Sequence, residues 1–350
     1  TKAAQKGRCP AEGSMEVEMN QAEIARVLGV SKTTVSRAIP GKGRVREETR
    51  KEILDYIKGL ETKENPKAPP TYNLGVALPA DDYINTKTYF SECLYGICEA
   101  AAHFNYNVLI VKAMEDNISE IVNAVERKKV DAMILVRHME NDKAIEYLKS
   151  RNFPTGLAGH CEEDWVIQVD IDNEGAVEDI MTMMVNKGFR RFALIVEEMT
   201  NLVNRKRQEG FLAALFKNGI TENKQYIYRT KVSEEVLGMI LQDIVSNKTD
   251  CIVCGDDELG TKVLSWLQGE GYRVPEDVAV FALYNSPVLN LLRPSVTAID
   301  VSTRLVGLEL GKQMCNYLQG KSYQKRTLMD YKILIKKSTG KKGERKFRSP

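Results

Sequence analysis

No stretch of this chain approaches the roughly 18 to 20 apolar residues of a membrane-spanning helix, so insertion by a helix is not expected. The first residues also lack the apolar central segment of a signal peptide, and export is not expected. Histidine is scarce. His103, His138 and His160 share no metal-ligand spacing and have no neighbouring ligand set. The seven cysteines are odd in number and scattered, which fits reduced thiols in a cytoplasmic protein better than a disulfide framework. Cys251-Ile-Val-Cys254 has redox spacing but lies in an apolar β-run, where positions three apart face opposite sides. Buried strand thiols are the better reading. There is no Gly-x-Ser-x-Gly elbow and no phosphate loop. The pairs Asp81-Asp82 and Asp256-Asp257 read as loop or cap acids, because adjacent side chains in extended backbone point apart. An enzyme is therefore not expected, and no cofactor motif is found.

What is present is a soluble composition, 43% apolar and 28% charged over 350 residues, enough for two or three units with real cores. The most informative stretch runs from Asn20 to Ile39. Asn20 can cap a helix with Glu23 three residues on, and Ile24, Ala25, Val27 and Leu28 supply an apolar face. Gly29 can take the left-handed backbone that ends a helix. Val30 then packs inward and Ser31 caps a second helix, in which Val35 and Ala38 face a core. Lys32, Thr33, Ser36 and Arg37 lie on the other side. After Pro40, Gly41 and Gly43, a third helix runs from about Glu47 to Leu60 and buries Ile53, Leu54 and Ile57. This is the plan of a helix-turn-helix, which sets its second helix in the major groove of DNA.

Charge agrees. From Ile24 to Lys51 there are eight Lys or Arg against two acids, a local +6 in a chain whose total is +2. Such local basicity is an electrostatic footprint for phosphates. The rival reading, a solvated three-helix bundle used for protein contacts, lacks a reason for this concentration of charge. Thr1–Ser14 is polar and patternless, and is read as an extension or remnant ahead of a DNA-reading domain at 15–61. Residues 62–73, with Pro66, Pro69 and Pro70, form an extended, semi-stiff linker. Lys341–Pro350 is a basic tail.

From Leu74 onward, short β-rich runs alternate with helical stretches. Strands are expected at Leu74–Leu78, Val108–Val111, Ala132–Val136, Phe192–Val196, Cys251–Cys254 and Val278–Leu283. Helices are expected around residues 95, 122, 145, 180, 210, 240 and 264. Continuous apolar strands separated by helices indicate buried parallel sheets, and the length calls for two α/β lobes.

The chain resembles the lactose-repressor (LacI/GalR) family of bacterial transcription regulators. The resemblance rests on Ile24-Ala25-Arg26, Gly29-Val30-Ser31, Thr34-Val35-Ser36-Arg37 and Glu48-Thr49-Arg50, and continues to Ser338-Thr339. It implies a two-lobed, periplasmic-binding-protein-like module over 74–340, with two doubly wound parallel sheets. Lobe 1 would hold about 74–172 plus 300–328, and lobe 2 about 173–299 plus 329–340. It further implies a homodimer on double-stranded operator DNA, with a small-molecule effector between the lobes and repression as the default. A solute-binding receptor without DNA regulation and a transcription activator are the alternatives.

Site residues follow. Lys32 and Thr33, early in the second helix, are expected at base edges. Ser31, Thr34, Ser36, Arg37, Arg46 and Thr49 would hold phosphates or orient the helix, and Arg37 could also reach a guanine. The family commonly has an asparagine where this chain has Pro40, and a serine where it has Arg46. The linker is shorter than usual and lacks the Ala-Arg-x-Leu pattern, so no hinge helix and no strong DNA kink are expected. For the effector, Asp257 in Cys254-Gly255-Asp256-Asp257 maps to a ligand-binding carboxylate, unless it serves as a helix cap, which Asp256 could equally supply. Arg207 matches a cleft arginine, whereas Arg205 is expected in solvent. Tyr284 and Asn285 stand where a cleft aspartate is usual, and Phe90, with Tyr89, is either a ligand contact or core. The usual acid near Pro154 gives way to Gly159-His160, and Val232 takes the place of a stacking aromatic.

Overall fold

The computed structural model describes residues 24–40, 45–61, 69–79, 88–114, 116–197, 202–220, 226–230 and 233–340. They belong to two compact units, Thr1–Pro70 and Thr71–Pro350. No described helix is long and apolar enough to cross a membrane.

In the first unit, a helical segment at 24–27 precedes helices α1 (Lys32–Ala38) and α2 (Glu47–Glu61). Gly29 joins the first two at φ +62°, a left-handed conformation that costs glycine nothing. The Val30 amide reaches back to the Ala25 carbonyl and Leu28 to Ile24, both at 3.0 Å, which satisfies carbonyls at the helix end. Ser31 stands extended before α1, and its hydroxyl accepts the Thr34 N–H at 3.1 Å. Ile24, Ala25, Val35, Ala38 and Ile53 form the buried core, with Leu28, Val30, Val45 and Tyr56 packed on it. Val27 is a correction: it is 53% exposed. Ile24, Ala25 and Leu28 fall within a ~100° arc of helix surface, and Val27 lies off that arc. Asn20, Glu23, Gly41, Gly43 and linker residues 62–68 lie outside the described residues, as do the side chains of Ile57 and Leu60.

The second unit is built from two six-stranded sheets. Its strands are β1 (Asn73–Pro79), β2 (Asn107–Ala113), β3 (Ala132–Leu135), β4 (Thr155–Ala158), β5 (Ile167–Ile171), β6 (Phe192–Glu197), β7 (Tyr226–Thr230), β8 (Cys251–Cys254), β9 (Ala279–Ala282), β10 (Thr297–Asp300), β11 (Arg326–Met329) and β12 (Lys332–Leu334). The intervening helices are α3 (Thr88–His103), α4 (Ser119–Glu126), α5 (Lys143–Ser150), α6 (Asn173–Asn186), α7 (Leu202–Lys217), α8 (Glu234–Ser246), α9 (Asp257–Gly269), α10 (Pro287–Leu291) and α11 (Thr303–Leu318). The first sheet runs β11-β5-β4-β3-β1-β2 and the second β12-β10-β9-β8-β6-β7. All neighbours are parallel except β12, which pairs antiparallel with β10. β3, β4, β8 and β9 are buried throughout, as strands covered by helices on both faces must be. Cys251 and Cys254 enter the cores on opposite faces of the second sheet. The chain passes between sheets after β5, after β10 and after β11.

Helix α11 is absent from the pattern reading. It packs along α3, with Gly307 against the Cys93 carbonyl and Gly96 against the backbone of Arg304 and Leu308. A Cβ at either position would collide with that backbone, so the close crossing needs glycine. Those same glycines thin out the apolar periodicity by which a helix is recognised. Near the end, the Ser338 hydroxyl donates to the Val280 carbonyl at 2.6 Å and accepts the Thr297 amide at 2.9 Å. Ser338 and Thr339 are fully buried and pin the end of this unit to the second sheet.

Candidate functional site

The carboxyl ends of both sheets border a cavity of about 440 Å³, the place where α/β folds present loops and helix starts to a ligand. From the first lobe come Tyr89 and Phe90 at the start of α3, His138 after β3, His160 after β4 and Asp170 in β5. From the second come Arg207 of α7, Asp256 and Asp257 after β8, and Tyr284 after β9.

The paired acids divide their work. Asp256 caps α9, its carboxylate accepting the Leu259 amide at 2.9 Å. Asp257 is 5% exposed and turns its side chain to the cavity wall. Arg207 donates Nη1 to the Gly255 carbonyl at 2.8 Å, which fixes the guanidinium beside the same loop. The Tyr284 hydroxyl pairs with Thr303 at 3.1 Å, and its ring meets Tyr89 edge-on with centroids 6.0 Å apart. Each lobe thus contributes one of the two rings. Burial raises the pKa of both phenols, that of Tyr89 well above the ordinary value. Burial likewise pushes Asp170 up to about 6, against the pull of a backbone hydrogen bond at Ile171 and of the nearby His160 and Arg207. His138 Nδ1 lies 2.7 Å from the His160 carbonyl and ties the two histidine loops together.

In the first unit, Lys32, Thr33, Ser36 and Arg37 are exposed on α1 while Val35 and Ala38 of the same helix are fully buried. Positions i, i+1, i+4 and i+5 share one helix face, so these four polar residues form a continuous surface. Ser31 and Thr34 are bonded to each other at 2.8 Å, which places them in the helix start rather than on its reading face. Arg46 is exposed just before α2, and Thr49 is half-buried in its first turn.

Comparison with known proteins covers parts of both units. Residues 22–62 match the family described as "Bacterial regulatory proteins, lacI family", and residues 181–339 match the "Periplasmic binding protein-like domain". The chain is thus similar to the lacI-family transcription regulators. Among its relatives is catabolite control protein A of Streptococcus mutans, 26% identical over 287 residues and covering 79% of this chain and 85% of that protein. The transcriptional regulator AglR of Rhizobium meliloti is 25% identical over 341 residues, covering 92% of this chain and 94% of that one. A solved structure of the transcriptional regulator CelR with cellobiose shares the fold at a TM-score of 0.69, with 22% identity, over 91% of this chain and 99% of that one.

This chain places Asp257, Arg207, Tyr284 and Phe90 on the cavity wall, although Phe90 is 4% exposed and serves the first-lobe core as well. Asn285 is a correction. Its amide donates to Asp300 at 2.7 Å and its oxygen accepts from Lys336 at 2.7 Å, away from the wall. Following Tyr284 directly, it faces the opposite way. Arg205 is 62% exposed and pairs with Glu140 and Glu209, as expected of a solvated arginine. Asp170, Asn173, His138 and His160 are wall residues that the sequence reading did not select. The signal for Asp170 was an acid inside the apolar run Val-Ile-Gln-Val-Asp-Ile, which was not read as a strand.

Proposed function

We propose that this regulator is an operator-binding repressor, acting as a homodimer, whose DNA affinity is set by a small molecule held between its two α/β lobes. In this reading, residues 15–61 read DNA, 62–73 link, and 74–340 receive the effector. The observation that carries it is the convergence of Asp257, Arg207 and Tyr284 from one lobe with Tyr89 and Asp170 from the other on one cavity. A buried acid and a half-buried one, a guanidinium fork and aromatic rings are the donors, acceptors and apolar surfaces with which such a site fixes the orientation of a ligand. The relative in complex with cellobiose supports a role for this cleft in holding a small molecule.

On the DNA side, Lys32 and Thr33 contact base edges, and Arg37 is placed to meet a guanine or a phosphate. Ser31 and Thr34 orient the helix, and Ser36, Arg46 and Thr49 contact the backbone. One such reader covers only ~4 to 5 base pairs, so specificity comes from two copies on half-sites about one helical turn apart. Selection of binding sites from random duplexes, followed by anisotropy titration with and without compounds that raise the melting temperature, tests the whole reading. A selected palindrome whose affinity shifts about 5- to 150-fold with compound is the expected result. A chain that prefers no duplex over random competitor refutes it.

A further inference from the structure

The effector cleft holds an acid that the surrounding charges only partly balance. Asp170 receives hydrogen bonds from Asn173 Nδ2, at 3.2 Å, and from the Ile171 backbone. The groups that face it are Arg207 from α7, His160 from the loop after β4, Tyr89 from α3 and Asn173 at the start of α6. Each of the two cationic candidates is shared. Arg207 gives Nη1 to the Gly255 carbonyl, and His160 Nε2 stands 3.2 Å from the Glu162 carboxylate. Two other cations of α7 at the wall, Arg205 and Lys206, are turned to Glu140, Glu174 and Glu209. The packed protein accordingly holds Asp170 up at about 6. A carboxylate in that position gains from a cation brought by the ligand, through a charge-assisted N–H bond. The Tyr89 ring close to it, and the Tyr284 ring packed edge-on against Tyr89, add surfaces that favour a cation. A neutral polyol adds nothing to the partial balance at Asp170, and an anion is repelled by Asp170 and Asp257.

We infer that the cleft selects a ligand bearing a protonated amine, seated beside Asp170 and the Tyr89–Tyr284 ring pair. The inference rests on the cleft being the effector site. Its test compares amines with matched neutral compounds on the full-length chain, by thermal shift and calorimetry. The probes are glucosamine against glucose, chitosan disaccharide against cellobiose, and N-acetyl-lysine amide against N-acetyl-norleucine amide. In at least one pair, the amine is expected to bind and its neutral partner to bind about 10- to 100-fold more weakly. Asp170→Asn removes that preference. Binding of the amine by the unsubstituted chain, a measurement that needs no variant, weakens as pH falls from 7 to 5. This profile is compared with that of Asp170→Asn, which is flatter. Neutral members binding as tightly as the amines, or amine binding insensitive to both pH and Asp170→Asn, overturns the inference. Should a neutral compound bind and also shift operator affinity, amine selection fails while effector control stands. Six silent compounds overturn amine selection, and effector control is then judged by the wider compound screen.

Discussion

Asp256 and Asp257 are adjacent acids with separate tasks, and a pair of substitutions separates them. The Asp256 carboxylate accepts the Leu259 amide at 2.9 Å and so caps α9. Losing a cap of this kind costs about 1 kcal/mol, within a range of 0.5–2. For a unit as large as the receptor part, that lowers the melting temperature by about 2 to 4 °C. Asp256→Ala is therefore expected to melt earlier yet keep its response to effector. Asp257 makes no cap, and its carboxylate lines the cavity at 5% exposure. Asp257→Asn preserves its shape and removes its charge. The expected outcome is a melting temperature within about 2 °C of the parent, unliganded operator binding unchanged, and the effector response of about 1–3 kcal/mol abolished. The assays are thermal melting and anisotropy titration of a selected operator with and without a stabilising compound. Asp257→Asn protein that loses unliganded DNA binding, or Asp256→Ala protein that loses the effector response at an unchanged melting temperature, would refute this division.

Lys32→Ala should change which duplex is preferred, while Arg46→Ala should weaken all duplexes alike and flatten the salt dependence by about one unit, both checked by site selection and salt titration. Ile53, fully buried in the small core of the first unit, is expected to cost about 2–5 kcal/mol when truncated to alanine, read as loss of operator binding with the effector unit still folded. Gly307→Ala places a methyl group against the Cys93 carbonyl and should force α3 and α11 apart, visible as a lowered melting temperature of the receptor unit. Asp170 gives a pH signature. The folded chain holds its proton up to about 6, whereas an ordinary carboxyl releases it near 3.8. Between those values the folded state binds more protons, so this group's contribution to stability falls as pH rises, by an amount on the order of 1–3 kcal/mol. Asp170→Asn should flatten that slope and raise the unliganded melting temperature at pH 7, as denaturant titrations at pH 4 and pH 7 would establish.

Much of the fold was legible because its signals are local. Gly29, the Ser31 cap and the α1 face depend on residues within five positions of one another, and all three stand as read. Cys251–Cys254 is a strand over the expected residues, since an uninterrupted β-prone run needs no further information. Strands β4 and β5 escaped notice because Thr-Gly-Leu-Ala and Ile-Gln-Val-Asp-Ile carry glycine or polar residues that only burial between neighbours makes tolerable. At the site, Asp257, Arg207 and Tyr284 were found through the motifs around them. Asp170, His138 and His160 carry no motif and reach the cavity only because β3, β4 and β5 end side by side.

From its amino acids alone, this chain specified a basic helix-turn-helix segment and a run of α/β units, because caps, turns and apolar periodicity act between near neighbours along the backbone. Tertiary structure alone decided that Asp256 caps α9, that Asn285 serves Lys336 and Asp300, and that Asp170 joins the wall. Those assignments depend on which strands lie beside one another and on which groups lose their water, and both are set by contacts between residues far apart in sequence.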